Sequence, residues 1–239
     1  MTSVGTIHNQ RIPKHVAIVM DGNRRWAKQH KQSEIQGHKA GVSSLRNSVS
    51  FAIKNKIEVL SVYAFSKENW GRGPKWLKEF FNLFISVLDN EIKELHHNNV
   101  KITFIGDQNE LSKELQHKIN ECEQLTKNNN LLHLVIAFNY SGRNEIIRAI
   151  QKIIESKVDP RTLNEDIFGQ YLDTKGIPEP DLFIRTSGEY RISNFLLWQM
   201  SYSEFVFINT LWPDFSEDDF RYALEEYSKR DRRYGRTST

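Results

Sequence analysis

The sequence predicts an α/β domain with a central, largely parallel six-stranded sheet flanked by helices, and three observations carry that expectation. Short apolar runs of strand length alternate with stretches whose apolar residues recur every three to four positions. Several runs are apolar without alternation, which suits strands covered on both faces. Most runs stop at a polar, glycine-containing turn, the way open parallel sheets gather ligand-binding groups at the carboxyl ends of their strands. Strand–helix alternation of this kind implies right-handed crossovers.

Residues 1–14 lack periodicity and read as a flexible leader to one domain over 15–239. The first strand is the run Val16, Ala17, Ile18, Val19 and Met20, halted by Asp21-Gly22-Asn23, with Arg24, Arg25 and Trp26 where a helix can begin. Gly37-His38-Lys39-Ala40-Gly41 leads into a helix with Val42, Leu45, Val49, Ala52 and Ile53 on one face. Residues 57–65 form a second strand, ended by Ser66-Lys67-Glu68-Asn69-Trp70. A long helix then carries Trp76, Phe80, Phe84, Leu88, Ile92 and Leu95 on one stripe. A third strand covers 100–105, a polar helix 109–128, and a fourth strand 131–138, followed by Asn139-Tyr140-Ser141-Gly142-Arg143. A helix over 144–157 breaks at Asp159-Pro160, and a shorter helical piece spans 163–172. Pro178 and Pro180 force an extended connection to strands at 181–185 and 205–208, and a final helix starts after Phe215.

Apolar residues make up 38% and charged residues 26% of the 239, the balance of a globular protein. No apolar run is long enough to span a bilayer. One cysteine, Cys122, excludes an intrachain disulfide and fits a reducing cytoplasm. A net charge of +3 is too small to argue for nucleic acid, so anion binding must rest on local clusters.

The polar strand ends supply such clusters. Asp21-Gly22-Asn23, residues 66–72, residues 139–143 and Arg185-Thr186-Ser187-Gly188-Glu189-Tyr190-Arg191 all emerge at one edge of a parallel sheet. Arginine forks match phosphate oxygens with paired hydrogen bonds. Asp21 offers a carboxylate to a divalent metal, and the turn offers backbone N–H groups to phosphate. Taken alone, that first turn reads as a tight strand-to-helix connection capped by Asp21 or Asn23. No Walker motif, dinucleotide fingerprint, HExxH or cysteine-rich zinc pattern occurs. The chemistry points to a diphosphate-bearing substrate bound otherwise than in the common nucleotide folds.

Five segments in order, HVAIVMDGNRRWA, GHKAG, SVYAFSKENW, IRTSGEYRISNFLLWQ and LWPDF, resemble the cis-prenyltransferases, the family of undecaprenyl and dehydrodolichyl diphosphate synthases. The resemblance runs from about residue 13 to 235. It implies a Mg²⁺-dependent enzyme that joins isopentenyl diphosphate to an allylic diphosphate, farnesyl diphosphate or shorter, with a new cis double bond. It also implies a homodimer with an apolar tunnel for the prenyl chain, cytoplasmic and touching the membrane peripherally for product release. The expected product is an undecaprenyl-type lipid carrier precursor for wall sugars.

By the same resemblance, Asp21 is the catalytic metal aspartate and Asn69 the residue assisting proton removal. Gly22, Asn23, Arg24, Arg25, Trp26 and His38 surround the allylic diphosphate. Ser66, Lys67, Glu68, Trp70 and Arg72 belong to a loop closing over the substrates. Arg185, Arg191, Ile192 and Ser193 form the isopentenyl diphosphate pocket, and Glu204 is a second metal-linked carboxylate. Residues 230–235 match an Arg-x-Gly ending that reaches a neighbouring active site. Ala64 and Leu132 match positions lining the tunnel. The chain departs from the family at Arg24, at Glu34 in place of an arginine, and at Gly73-Pro74-Lys75-Trp76 after the loop. These departures fall on the allylic side, so a specialised short-chain or irregular synthase is the first rival. A silent partner subunit and a nucleotide-binding regulator are the others.

Overall fold

Strand β1 (His15–Val19) has no exposed residue and sits inside the sheet, paired on one edge with β2 (Val59–Ser66) and on the other with β5 (Leu182–Arg185). The computed structural model describes residues 11–232. Adding β3 (Val100–Ile105), β4 (Leu132–Tyr140) and β6 (Glu204–Phe207) gives six strands in the order β3-β4-β2-β1-β5-β6, every pair parallel. The chain lays β2, then β3 at the edge and β4 between them, on one side of β1, and returns to build β5 and β6 on the other. The boundary between β1 and β5 is therefore the switch point where open α/β sheets place their ligands.

Alternation along β1 divides its side chains between two cores. Val16 and Ile18 join the larger, under helices α2 (Glu34–Lys54), α3 (Pro74–His97), α4 (Lys113–Thr126) and α7 (Glu217–Ser228). Ala17 and Val19 join the smaller, with Phe195, Leu196 and Met200. Helices α5 (Gly142–Glu155) and α6 (Glu165–Gly169) close a third cluster around Ala149, Ile153, Phe168 and Leu172. Among the described residues, no helix is long and apolar enough to cross a membrane.

The expected six-stranded parallel architecture is present, with three local differences. The GHKAG segment lies inside α2, which starts at Glu34 after Ser33 accepts the Gln36 N–H as its cap. Its glycines serve close approach: a Cβ on Gly37 would lie 2.1 Å from the Asn23 carbonyl oxygen, at the start of α1 (Asn23–Gln29). Strand β4 runs on to Tyr140, because the buried Asn139 finds side-chain partners and need not end it. The helical piece expected over 163–172 shortens to α6, capped by Asn164.

Two histidines make the fold acid-sensitive. His15 is enclosed between the Pro178 carbonyl oxygen (2.6 Å from Nδ1) and the Ser61 hydroxyl (2.7 Å from Nε2), and burial pushes its pKa from 6.5 down to about 4. Burial likewise takes His133, beside Thr103, down to about 4. Both are neutral when folded and take up a proton near pH 6.5 when unfolded. Their contribution is complete above pH 6.5 and falls toward pH 4, by up to about 1.4 kcal/mol per pH unit for each. Urea unfolding at a series of pH values should show this slope, and His15→Gln should flatten it; an unchanged slope would show that His15 does not titrate on unfolding.

Candidate active site

The switch point holds an ion pair between the ends of two neighbouring strands. Asp21, just past β1, accepts from Arg185 Nη2 at 2.7 Å, while its other carboxylate oxygen takes the Gly22 N–H. Arg185 has only 4% of its side chain exposed, and its Nη1 donates at 2.6 Å to both the Arg191 carbonyl and the Ser193 hydroxyl. Thr186 fastens the turn from below: its hydroxyl accepts the Asp21 N–H and donates to the Asp21 carbonyl. The Trp212 N–H donates to that same carbonyl. Gly22 has φ +111, and a Cβ there would stand 3.0 Å from Leu211 Cα, so conformation and space both call for glycine.

A lid follows β2. Residues 67–72 form a 3₁₀ turn started by a capping box, in which Ser66 accepts the Glu68 N–H and Asn69 Oδ1 takes the Ser66 N–H. Glu68 reaches across to Asn194 at 2.8 Å. Arg72 lies over the Trp76 ring, 4.5 Å from its centre, and burial lowers its pKa.

Between lid, sheet, α2 and α3 lies a cavity of about 900 Å³. Its polar end carries Asp21, Gly22, Asn23, Arg24, Ser66, Glu68, Asn69, Arg72, Arg185, Arg191, Ile192 and Ser193. Its interior is apolar, with Ala64, Val49, Phe84, Leu88, Ile92, Leu134 and Ile136 on the wall. The predicted set thus largely converges, with specific exceptions. Arg25 turns to Glu189 (3.0 Å), and Trp26 donates to Asp214 (2.7 Å) with its ring stacked on His30; neither lines the cavity. Lys67 and Trp70 also point away, toward the ends of β3 and β4. Leu132 is buried off the wall, and Trp76 stacks behind Phe80, off the wall as well.

Strand register sets Glu204 apart from Asp21. Glu204 pairs with Leu182, level with Val16 at the start of the strands, whereas Asp21 follows Val19, which pairs with Arg185. Three residues of strand, about 10 Å, separate the two levels. Glu204 holds Arg230 at 2.9 Å instead. Of the expected Arg-x-Gly ending, Arg233 to Gly235 lie outside the described residues.

Arg143 and Asn194 also line the cavity and were not among the predicted site residues. Asn194 Oδ1 accepts the Arg143 N–H, and its amide donates to Ser141 and Glu68, which ties the start of α5 to the lid. The available signal was Arg143 in the polar turn after β4 and Asn194 at the end of the IRTSGEYRISN segment. His38 stands in the second turn of α2 against the edges of Trp76 and Phe80, with Nε2 buried and unpartnered. Burial, then the nearby Arg72 charge, lowers its pKa to about 4, so it faces the cavity as a neutral ring.

No three metal-capable side chains cluster among the described residues. Mg²⁺ is commonly held by one or two carboxylates with phosphate oxygens and water completing the shell. A part-exposed Asp21 carboxylate on the cavity wall, surrounded by arginines that would hold phosphate, fits a metal arriving with a diphosphate.

A parallel α/β sheet with a cationic diphosphate cradle at its switch point and an apolar cavity behind it defines a prenyl diphosphate-handling enzyme. Residues 19–235 match the family described as "Putative undecaprenyl diphosphate synthase". A "Ditrans,polycis-undecaprenyl-diphosphate synthase ((2E,6E)-farnesyl-diphosphate specific)" of Pasteurella multocida is 49% identical, covering 94% of this chain and 95% of its own. A synthase of the same name from Legionella pneumophila (strain Paris) is 44% identical, covering 96% and 98%. Among solved structures, lavandulyl diphosphate synthase from Lavandula x intermedia, in complex with dimethylallyl diphosphate, superposes with TM-score 0.90 at 35% identity, covering 94% and 98%. A probable undecaprenyl diphosphate synthase from Campylobacter jejuni superposes with TM-score 0.81 at 34% identity, covering 95% and 100%. The chain belongs to the cis-prenyltransferase family and is an enzyme of that family, whose members depend on Mg²⁺.

The departure at Glu34 has a structural partner. Arg24 Nε lies 3.1 Å from Glu34 Oε1, at the cavity rim, with 76% of the Arg24 side chain exposed. Glu34→Gln should release Arg24 and lower KM for the allylic diphosphate by about two- to five-fold, the scale of an exposed pair. Raising salt should shrink the gain. Steady-state kinetics at two ionic strengths check this; an unchanged KM would remove Glu34 from the allylic site.

Proposed function

We propose that this chain condenses isopentenyl diphosphate with a farnesyl-type allylic diphosphate, repeatedly and with cis geometry, to a long polyprenyl diphosphate of the undecaprenyl kind. The observation that supports it most is the cavity itself, polar and cationic at Asp21, Arg185 and Arg191, then apolar past Ala64 toward Leu134 and Ile136. A diphosphate sits at the first part and its hydrocarbon tail in the second. The relatives named for farnesyl diphosphate as substrate support the choice of primer.

In this reading Asp21 would hold Mg²⁺, which when bound would supply charge neutralisation for the leaving allylic diphosphate. Arg191, Ser193 and the buried Arg185 orient the isopentenyl head group, so that its alkene meets the allylic C1 in fixed register. The apolar wall keeps water from the cationic carbon. Asn69 orients the lid: its side-chain oxygen is engaged with the Ser66 N–H, and an amide is a poor base, so a diphosphate oxygen takes the proton from C2. The enzyme works as a homodimer, touching the membrane only to hand over its product.

Asp21→Asn, which keeps an oxygen to accept from the buried Arg185, should reduce turnover by orders of magnitude with the fold retained. Near-normal turnover at saturating Mg²⁺ would remove Asp21 from this role. Arg191→Ala should raise the isopentenyl diphosphate KM roughly ten-fold or more, the scale of one charge-assisted hydrogen bond. An effect on the allylic KM alone would mean that the two pockets are exchanged.

The likeness to lavandulyl diphosphate synthase, together with the altered allylic rim, supports a short or irregular product as the second reading. Incubation with labelled isopentenyl diphosphate in excess and either farnesyl or dimethylallyl diphosphate separates the two. Products beyond C20 from farnesyl diphosphate are expected, since small Ala64 leaves the cavity open. Products confined to C10–C15 would favour the second reading.

A further inference from the structure

The lid presents two sets of side chains. Glu68, Asn69 and Arg72 face the cavity, while Lys67 and Trp70, on either side of that first pair, face away from it. Both outward residues end on one platform made by the loop after β3 and the last residues of β4. Trp70 Nε1 donates to Asn139 Oδ1 at 2.8 Å. Lys67 Nζ sits 2.7 Å from Glu110 Oε1 and 3.4 Å from Asp107 Oδ2. The Asn139 amide joins these anchors, donating to the Asp107 carbonyl at 2.8 Å and to the other Glu110 oxygen at 3.0 Å.

Asn139 is fully buried, has φ +51, and spends its side chain on this junction. Such a backbone costs free energy that the surrounding bonds must offset. Downstream the lid is held by Arg72 against the Trp76 ring, while Gly71 and Gly73 beside it have open space where a Cβ would stand and Gly73 has φ +90.

We propose that Glu110 and Asn139, which lie outside the substrate cavity, are positioning residues that hold Lys67 and Trp70 so that Asn69 and Glu68 present to the substrates. Lys67 then acts through Glu110 and not on a diphosphate, unlike the role its place in the loop suggests. The proposal rests on the prenyl transfer reading, and its test must separate the two.

The experiment is a double-mutant cycle on the full chain, with labelled isopentenyl diphosphate and farnesyl diphosphate as probes. Lys67→Met and Glu110→Leu should each lower kcat by about five-fold, the reach of a partly exposed ion pair, with both KM values little changed. The double variant should be about as slow as the slower single, because both substitutions break the shared Lys67–Glu110 pair. Glu110→Gln keeps one acceptor, for Lys67, while giving up the Asn139 bond, and should recover part of the lost kcat at a melting temperature no higher than that of Glu110→Leu, which a general gain of stability would not produce. Multiplied losses of about twenty-five-fold in the double variant would overturn the proposal. So would a raised diphosphate KM in Lys67→Met that Glu110→Leu does not share. A wild-type chain that elongates nothing would sink the functional reading and this one with it, whereas an active wild type with multiplied losses overturns the clamp alone.

Discussion

A guanidinium group buried at the end of a central strand must be paired, since an unpaired charge out of water costs several kcal/mol. Arg185 meets that demand with three acceptors, the Asp21 carboxylate, the Arg191 carbonyl and the Ser193 hydroxyl. Those acceptors belong to the segments that build the catalytic end of the cavity. The conformation of the 191–194 loop follows from it, including φ +50 at Ser193 and +63 at Asn194. So does the turn at Asp21, braced from behind by Thr186 and Trp212.

The second constraint is that the cavity shares its walls with the core. Phe84, Leu88 and Ile92 on α3 line the cavity and also pack in the main hydrophobic cluster. A side chain at such a place has two tasks, close packing on one side and an open wall on the other. The aromatic stack from Trp76 through Phe80 to Phe65 and Phe138 gives α3 a rigid seat on the sheet. Rigidity there keeps the cavity from collapsing, which the hydrophobic effect would otherwise favour.

Strand positions were legible because uninterrupted apolar runs of strand length have few other uses, and the polar turns after them marked the catalytic edge. What escaped was long-range geometry. GHKAG looked like a boundary since glycine punctuates helices, yet here small residues let α2 press on Asn23. Lys67 and Trp70 lie beside Asn69 in sequence, but a tight 3₁₀ turn sends neighbours in opposite directions. Glu204 entered the predicted site through a shared motif, and only strand register reveals the level at which it stands. Arg143 and Asn194 meet across fifty-one positions of chain, a contact that periodicity does not encode.

Placing β1 between β2 and β5 also orders events in synthesis. Once residue 66 has emerged, β1 can pair along one edge, but its other edge must wait for residues 182–185. Parallel pairing across such a separation carries a loop-closure cost that makes it slow, and an apolar strand edge left bare invites other chains to pair with it. Asp21 therefore lacks Arg185 until β5 has been made, and lacks the Trp212 brace for longer still. Through that interval the central strand is paired on one edge only, and the nascent chain is most open to mispairing.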